Sequence, residues 1–261
     1  MAIDMDRFTM SRLGELRWCA MRRRVRAAVA GETVVDSRDV LQVWEPDRVV
    51  GSYAVPIADI SAGLIDPVVV APAEHRPPIL TPDDAFLLHT CPGTAWNIAV
   101  GDHPLVAAAF TPDDPDLGGH AVLDWSAFDE WREEEQTALA HPHDPFKHID
   151  CLDTSRHVVV RIDDVVVAES NRPTLLLETH LPQRHYLPQE DIRMDLLVAG
   201  DTHTTCAYKG RASYWSAIVH GQTVADVAWC YPDPLIDGEP VRDLICFDDD
   251  RVDITVDGIA G

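Results

Sequence analysis

Apolar and β-branched residues gather in short runs along this chain, and the runs come in pairs around tight turns. Val25-Arg26-Ala27-Ala28-Val29 is followed by a turn at Ala30-Gly31 and by Glu32 to Val35. Val158-Val159-Val160-Arg161-Ile162 is followed by Asp163-Asp164 and by Val165 to Ala168. Such runs flanking a two-residue turn predict β-hairpins. Further on, Thr174-Leu175-Leu176-Leu177 reads as a buried strand with Glu178 emerging at its end. One stretch has a different pattern. Trp125, Phe128 and Trp131 recur at i, i+3, i+6 after Asp124 and Ser126, either of which can cap a helix, and acidic residues follow. This predicts a connecting helix, ended by the prolines of His141-Pro142-His143-Asp144-Pro145.

The hairpins mark an internal repeat. At a shift of 133 residues Ser37 matches Ser170, Glu45 matches Glu178 and Tyr53 matches Tyr186. At 132, Pro56-Ile57-Ala58-Asp59-Ile60 falls on Pro188-Gln189-Glu190-Asp191-Ile192, a shared P-x-x-D-I. Thr90-Cys91 then falls on Thr205-Cys206, Gly93-Thr94-Ala95 on Gly210-Arg211-Ala212, and Trp96, Ala109 and Asp114-Pro115 on Trp215, Ala228 and Asp233-Pro234. Collinear matches over ~100 residues point to a duplication. The expectation is a mainly β protein of two homologous small β-sheet domains related by pseudo-two-fold symmetry. The first would span 22–123 and the second 151–261, with the helix and a His/Pro-rich linker at 124–150.

Composition narrows the function. A formal charge of −23 over 261 residues argues against a nucleic-acid partner. The short basic cluster Arg22-Arg23-Arg24 reads as the solvated start of a strand. No apolar run is long enough for a membrane helix and none resembles a signal-peptide core, so a cytoplasmic location and no membrane partner are expected. The six cysteines form no C-x-x-C pair, so reduced thiols are expected, with no zinc and no recognisable cofactor motif. Of 21 basic residues only Lys147 and Lys209 are lysines. In a chain biased so strongly toward arginine, each surviving lysine invites a reason.

Several marks cluster in the second half: Ala168-Glu169-Ser170, Glu178, Tyr186-Leu187-Pro188 with Asp191, Thr205-Cys206-Ala207-Tyr208-Lys209-Gly210, Tyr214-Trp215, Ala228-Trp229-Cys230-Tyr231-Pro232 and Val256-Asp257-Gly258. In order and density they resemble the DUF427 family, a bacterial domain of unknown function. The first half looks like a weaker copy, and the whole chain looks like the tandem form found in actinobacteria. The resemblance implies compact sheets akin to β-tent folds and no established activity. A nucleotidyltransferase label that the family sometimes carries finds no Gly-Ser with paired metal-binding carboxylates here. Asp248-Asp249-Asp250 reads as a solvated turn.

The candidate chemistry lies in the second half. Lys209, Glu178 and Cys206 are the candidate catalytic residues: a thiol near an ammonium, or an ammonium that holds an anionic substrate, with a carboxylate as acid or base. The plainer alternatives are a buried thiol and an ion pair, for Glu178 with Arg161, Arg172 or Arg193. Tyr186, Tyr214, Trp215 and Trp229 are candidate pocket walls or ordinary core, and Arg161 and His203 complete the candidate ligand-binding set. The expected function is a small-molecule enzyme or binder with its pocket in the second copy. The alternatives are a protein-interaction scaffold and a ligand sensor. As a surface side chain, Lys209 would lose less than about 1 kcal/mol on replacement by Ala.

Overall fold

The computed structural model describes residues 2–69, 76–101 and 103–260. The chain divides into two units, Met1–Pro145 and Phe146–Gly261. Apart from a six-residue helix, Met5–Met10, and short 3₁₀ segments, the regular structure is β. Unit 1 contains β1 (Arg17–Met21), β2 (Val25–Val29), β3 (Glu32–Ser37), β4 (Val40–Trp44), β5 (Ser52–Pro56) and β6 (Leu64–Val68). It continues with β7 (Gly93–Ile98), β8 (Leu105–Pro112), β9 (His120–Leu123), β10 (Glu130–Glu133) and β11 (Gln136–Ala138). Unit 2 contains β12 (Ile149–Asp153), β13 (Val158–Ile162), β14 (Val165–Ser170), β15 (Thr174–Glu178), β16 (Arg184–Leu187) and β17 (Leu197–Cys206). It continues with β18 (Gly210–Val219), β19 (Gln222–Cys230), β20 (Ile245–Phe247), β21 (Asp253–Val256) and β22 (Ile259–Ala260).

Each unit folds as a seven-stranded and a four-stranded antiparallel sheet. The large sheets run β1-β4-β5-β9-β8-β7-β6 and β12-β15-β16-β20-β19-β18-β17, and the small ones β11-β10-β2-β3 and β22-β21-β13-β14. The two orders correspond strand for strand. Both predicted hairpins are present, as β2–β3 and β13–β14.

The repeated residues make repeated bonds. The Ser37 hydroxyl donates to Asp59 at 2.6 Å and the Ser170 hydroxyl donates to Asp191 at 2.7 Å. Trp96 pairs with Ala109 and Trp215 with Ala228. Their indole N–H groups donate to Thr111 Oγ1 and to Cys230 Sγ.

One matched pair separates. Strand pairing sets Leu41–Ala54 and Gln42–Tyr53 in unit 1 against Thr174–Tyr186 and Leu175–His185 in unit 2. Tyr53 therefore corresponds to His185 and Ala54 to Tyr186. The one-residue gap lies between the second and third strands of the large sheet, ahead of Tyr53. Core membership agrees, since neighbours on a strand point to opposite faces. Tyr53 packs with Val25, Ala27 and Val55, whereas Tyr186 packs on the opposite face of its sheet.

Each large sheet has a core on both faces. In unit 2, Val158, Val160, Leu187, Ala228 and Phe247 pack between the two sheets. The other face gathers Leu176, Tyr186, Ala212, Tyr231 and Cys246, with Cys151 and Cys206 beside them. Those residues span the sheet from edge to edge, so the sheet curls around this second core. No two of the six cysteines are bridged.

The connecting helix is not present. Asp124 does cap a turn, accepting from Ser126 N–H at 2.9 Å, but only Trp125–Ala127 winds, as a single 3₁₀ turn. Residues 130–133 and 136–138 form the β10–β11 hairpin that completes the small sheet of unit 1. Residues 17–21 also belong to that unit, as an edge strand of its large sheet. The i, i+3, i+6 aromatics lack the i+4 and i+7 partners of a helical face, and Trp131 and Glu133 alternate inward with a period of two. The aromatics pack on one another instead, with Trp125 stacked on Trp131 at 4.9 Å.

Candidate functional site

The turn that joins β17 to β18 is buried, which is unusual for a loop. Ala207, Tyr208 and Lys209 are 0%, 8% and 7% exposed. Cys206 and Gly210 pair to close the turn. Gly210 adopts φ +94°, and a Cβ there would lie 3.2 Å from the Leu235 backbone nitrogen, whose N–H donates to the Lys209 carbonyl. Only glycine meets both demands without strain. Gly210→Ala is expected to cost more than Gly221→Ala. Gly221 is also left-handed, at φ +74°, but nothing lies near it, so its substitution carries backbone strain alone, about 1–2 kcal/mol. Urea midpoints of the two variants give the comparison, and equal losses would contradict the close-approach argument.

The Lys209 ammonium donates to Glu178 Oε2. The other carboxylate oxygen, Oε1, lies 3.2 Å from the Lys147 ammonium. Lys147 also donates to the Thr179 carbonyl at 2.8 Å, just past the end of β15. Side-chain exposure is 7% for Glu178, 9% for Lys209 and 18% for Lys147. Both lysines of the chain thus converge on one buried carboxylate, and Lys147 is the member nearest solvent. Among the described residues Glu178 pairs with no arginine: Arg172 goes to Asp191 and Arg193 to Asp195.

Around this cluster lie Cys206, Cys151, Tyr214 and Tyr231. Burial raises the Tyr231 phenol well above its ordinary range, and Cys206, Tyr214 and Glu178 add to the effect. Burial also raises the Cys151 thiol, partly offset by the Lys209 charge. Tyr186 accepts a hydrogen bond from the Trp229 indole at 3.1 Å, and Tyr214 shares one with Thr204, also at 3.1 Å.

Three of the expected ligand-binding residues lie apart from the cluster. Trp215 points to the opposite face of the sheet from Tyr214 and packs against the inter-sheet core. Arg161 is exposed on the small sheet. His203 is exposed on β17 and bonds the Ala212 carbonyl. Lys147 and Tyr231 join the cluster without having been expected there. For Lys147 the scarcity of lysine was the available signal. Asp248, Asp249 and Asp250 bring their carboxylates within 4.8 Å of one another. Two of them are engaged elsewhere, Asp249 by Arg184 and Asp248 by Arg251.

Unit 1 holds its matching carboxylate, Glu45, with different partners. Glu45 is 2% exposed and accepts from the Thr90 N–H at 2.8 Å, with His89 Nδ1 at 3.0 Å and Arg48 Nε at 3.9 Å. Burial and the Glu45 charge push the Cys91 thiol up to about 12, which excludes a thiolate nucleophile there at neutral pH. In both units the carboxylate fastens the segment around the Thr-Cys pair to the second strand of the large sheet.

Residues 150–258 match the family model described as a domain of unknown function, DUF427. No curated protein matches the chain.

Proposed function

We propose, on the premise that unit 2 carries a DUF427 domain, that this unit is the working half and binds a small anionic molecule at Lys147 and Lys209. The observation that carries this reading is the convergence of both lysines on Glu178. Two ammoniums share one buried carboxylate, so Glu178 alone does not match both charges in a cluster largely withdrawn from water. Charge in such a setting interacts strongly with an opposite charge brought beside it. A small anion meets this need, whereas a polyanion would also face the −23 charge of the chain. Among the described residues Glu45 in unit 1 has one arginine, Arg48, beside it and no second permanent cation in contact.

In this reading Glu178 holds both ammoniums in place, and Cys206, Tyr214 and Tyr231 wall the site. The matching strand orders and the twin serine–aspartate bonds support a tandem duplication in which unit 1 is the diverged copy. Among the described residues no helix is long and apolar enough to cross a membrane.

The test is native mass spectrometry of the purified chain, followed by thermal shift with phosphate, pyrophosphate, acetate and citrate. The expected result is a rise in Tm with at least one anion that Lys147→Met abolishes. Lys147→Met keeps the Lys209–Glu178 pair, so the fold should persist. A chain of unaltered mass that no anion stabilises would favour a scaffold role instead.

A further inference from the structure

Unit 2 has a groove of about 230 Å³ at the end of its inter-sheet core. Val158, Val160, Leu187, Phe247, Ile254 and Val256 give it apolar walls. The one imidazole among its lining residues is His185, which is 9% exposed. Its Nε2 is buried and has no hydrogen-bond partner among the described residues. A buried polar atom left without a partner costs about 1–3 kcal/mol, so such an atom in a side chain that lines a groove calls for an explanation. The groove lies on the face of the large sheet opposite Tyr186, away from the lysine cluster.

Unit 1 shows what this space holds when it is full. By strand pairing His185 corresponds to Tyr53, Val160 to Ala27, Ile254 to Trp131 and Val256 to Glu133. Tyr53 is 1% exposed, and its ring packs against Trp131 with centroids 5.8 Å apart. Its hydroxyl donates to Glu133. In unit 2 the phenol and the indole are replaced by an imidazole and an isobutyl-sized side chain. Two large rings give way to smaller groups, only partly offset by Val160 in place of Ala27, and a groove lies between the same two sheets.

We propose that the unit 2 groove is a binding site for a small phenolic molecule, whose ring takes the space that Tyr53 and Trp131 fill in unit 1 and whose hydroxyl bonds His185 Nε2. The size agrees, since a dry cavity of ~150 Å³ accommodates benzene. The chemistry agrees too. Burial lowers the His185 pKa, Arg156 lowers it further and Asp257 opposes them, and the net shift favours the neutral ring. A neutral imidazole nitrogen pairs with a hydroxyl as donor or acceptor according to its tautomer. Arg184 at the rim is already paired with Asp249, so the wall facing the ligand carries no free charge.

The experiment is ligand-observed NMR on the full chain with phenol and with toluene, which has a similar shape but no hydroxyl. Phenol should bind about tenfold more tightly than toluene. His185→Leu should remove that advantage while leaving weak binding of both. His185→Tyr with Ile254→Trp rebuilds the filling of unit 1 and should abolish both. Long-range ¹H–¹⁵N spectra of the wild-type imidazole give a readout that does not depend on any variant folding: His185 Nε2 should shift on phenol addition. Phenol binding no tighter than toluene, binding that survives the filled variant, or an unmoved Nε2 would each overturn the proposal.

Discussion

Glu178→Gln is expected to destabilise unit 2 by about 3–5 kcal/mol, the range for removing one partner of a buried ion pair. The carboxylate is the hub: it is 7% exposed and contacts both ammoniums. The amide leaves two positive charges close together with no carboxylate in contact with either among the described residues. Lys209→Met is expected to cost less, about 2 kcal/mol, the value of a lost charge-assisted bond, because Glu178 keeps Lys147 and stays neutralised. The double variant should therefore lose clearly less than the sum of the two single losses, as expected of residues in one network. Urea unfolding gives the totals, and hydrogen exchange in the Cys206–Gly210 turn assigns the loss to unit 2. If Lys209→Met proves worse than Glu178→Gln, the hub is misidentified. Lys209 is no surface side chain, so its substitution should exceed the 1 kcal/mol that its sequence position alone suggests.

The hairpins were legible because turn chemistry is local: Ala30-Gly31 and Asp163-Asp164 sit where strands must reverse. The two matching halves were legible because their marks stay collinear. Residue identity misled at Tyr53. It aligns with Tyr186 by eye, yet a one-residue shift exchanges the two faces of a strand, and only pairing partners fix the register. The residues after Asp124 misled through three aromatics whose spacing mimics a helix but which sit on a 3₁₀ turn, in its cap and on a strand.

Of the lysine cluster, Glu178 and Lys209 were legible from type and setting. Lys147 was flagged by its rarity but assigned to a linker, because nothing local shows that it reaches the end of β15. His185 carried no signal at all. Its interest comes from volume that unit 1 fills and unit 2 leaves open, a difference that exists only once the two folds can be compared.

Glu133 gives the second large effect, a pH-dependent one. Burial alone would raise this carboxyl, but hydrogen bonds from His143 and Tyr53, the His143 charge and a hydrogen bond from Arg23 outweigh burial and hold it at about 2, against 4.5 when unperturbed. The Tyr53 phenol is raised by burial first and then by Glu133, so it stays protonated and donates. A carboxyl depressed in the folded state stabilises the fold above its unfolded pKa, and that stability is lost as pH falls through the folded value. At about 1.4 kcal/mol per pH unit, the interval from 4.5 to about 2 corresponds to roughly 3 kcal/mol. The chain carries 44 Asp and Glu residues, so the informative quantity is the difference between wild type and Glu133→Gln. Wild type should be the more stable by the full amount near pH 6. The gap should narrow by about 3 kcal/mol between pH 5 and pH 2, because the amide has no proton to take up. Urea midpoints measured across that range test it. A gap that stays constant down to pH 2 would mean that Glu133 is not held ionised by Tyr53, Arg23 and His143.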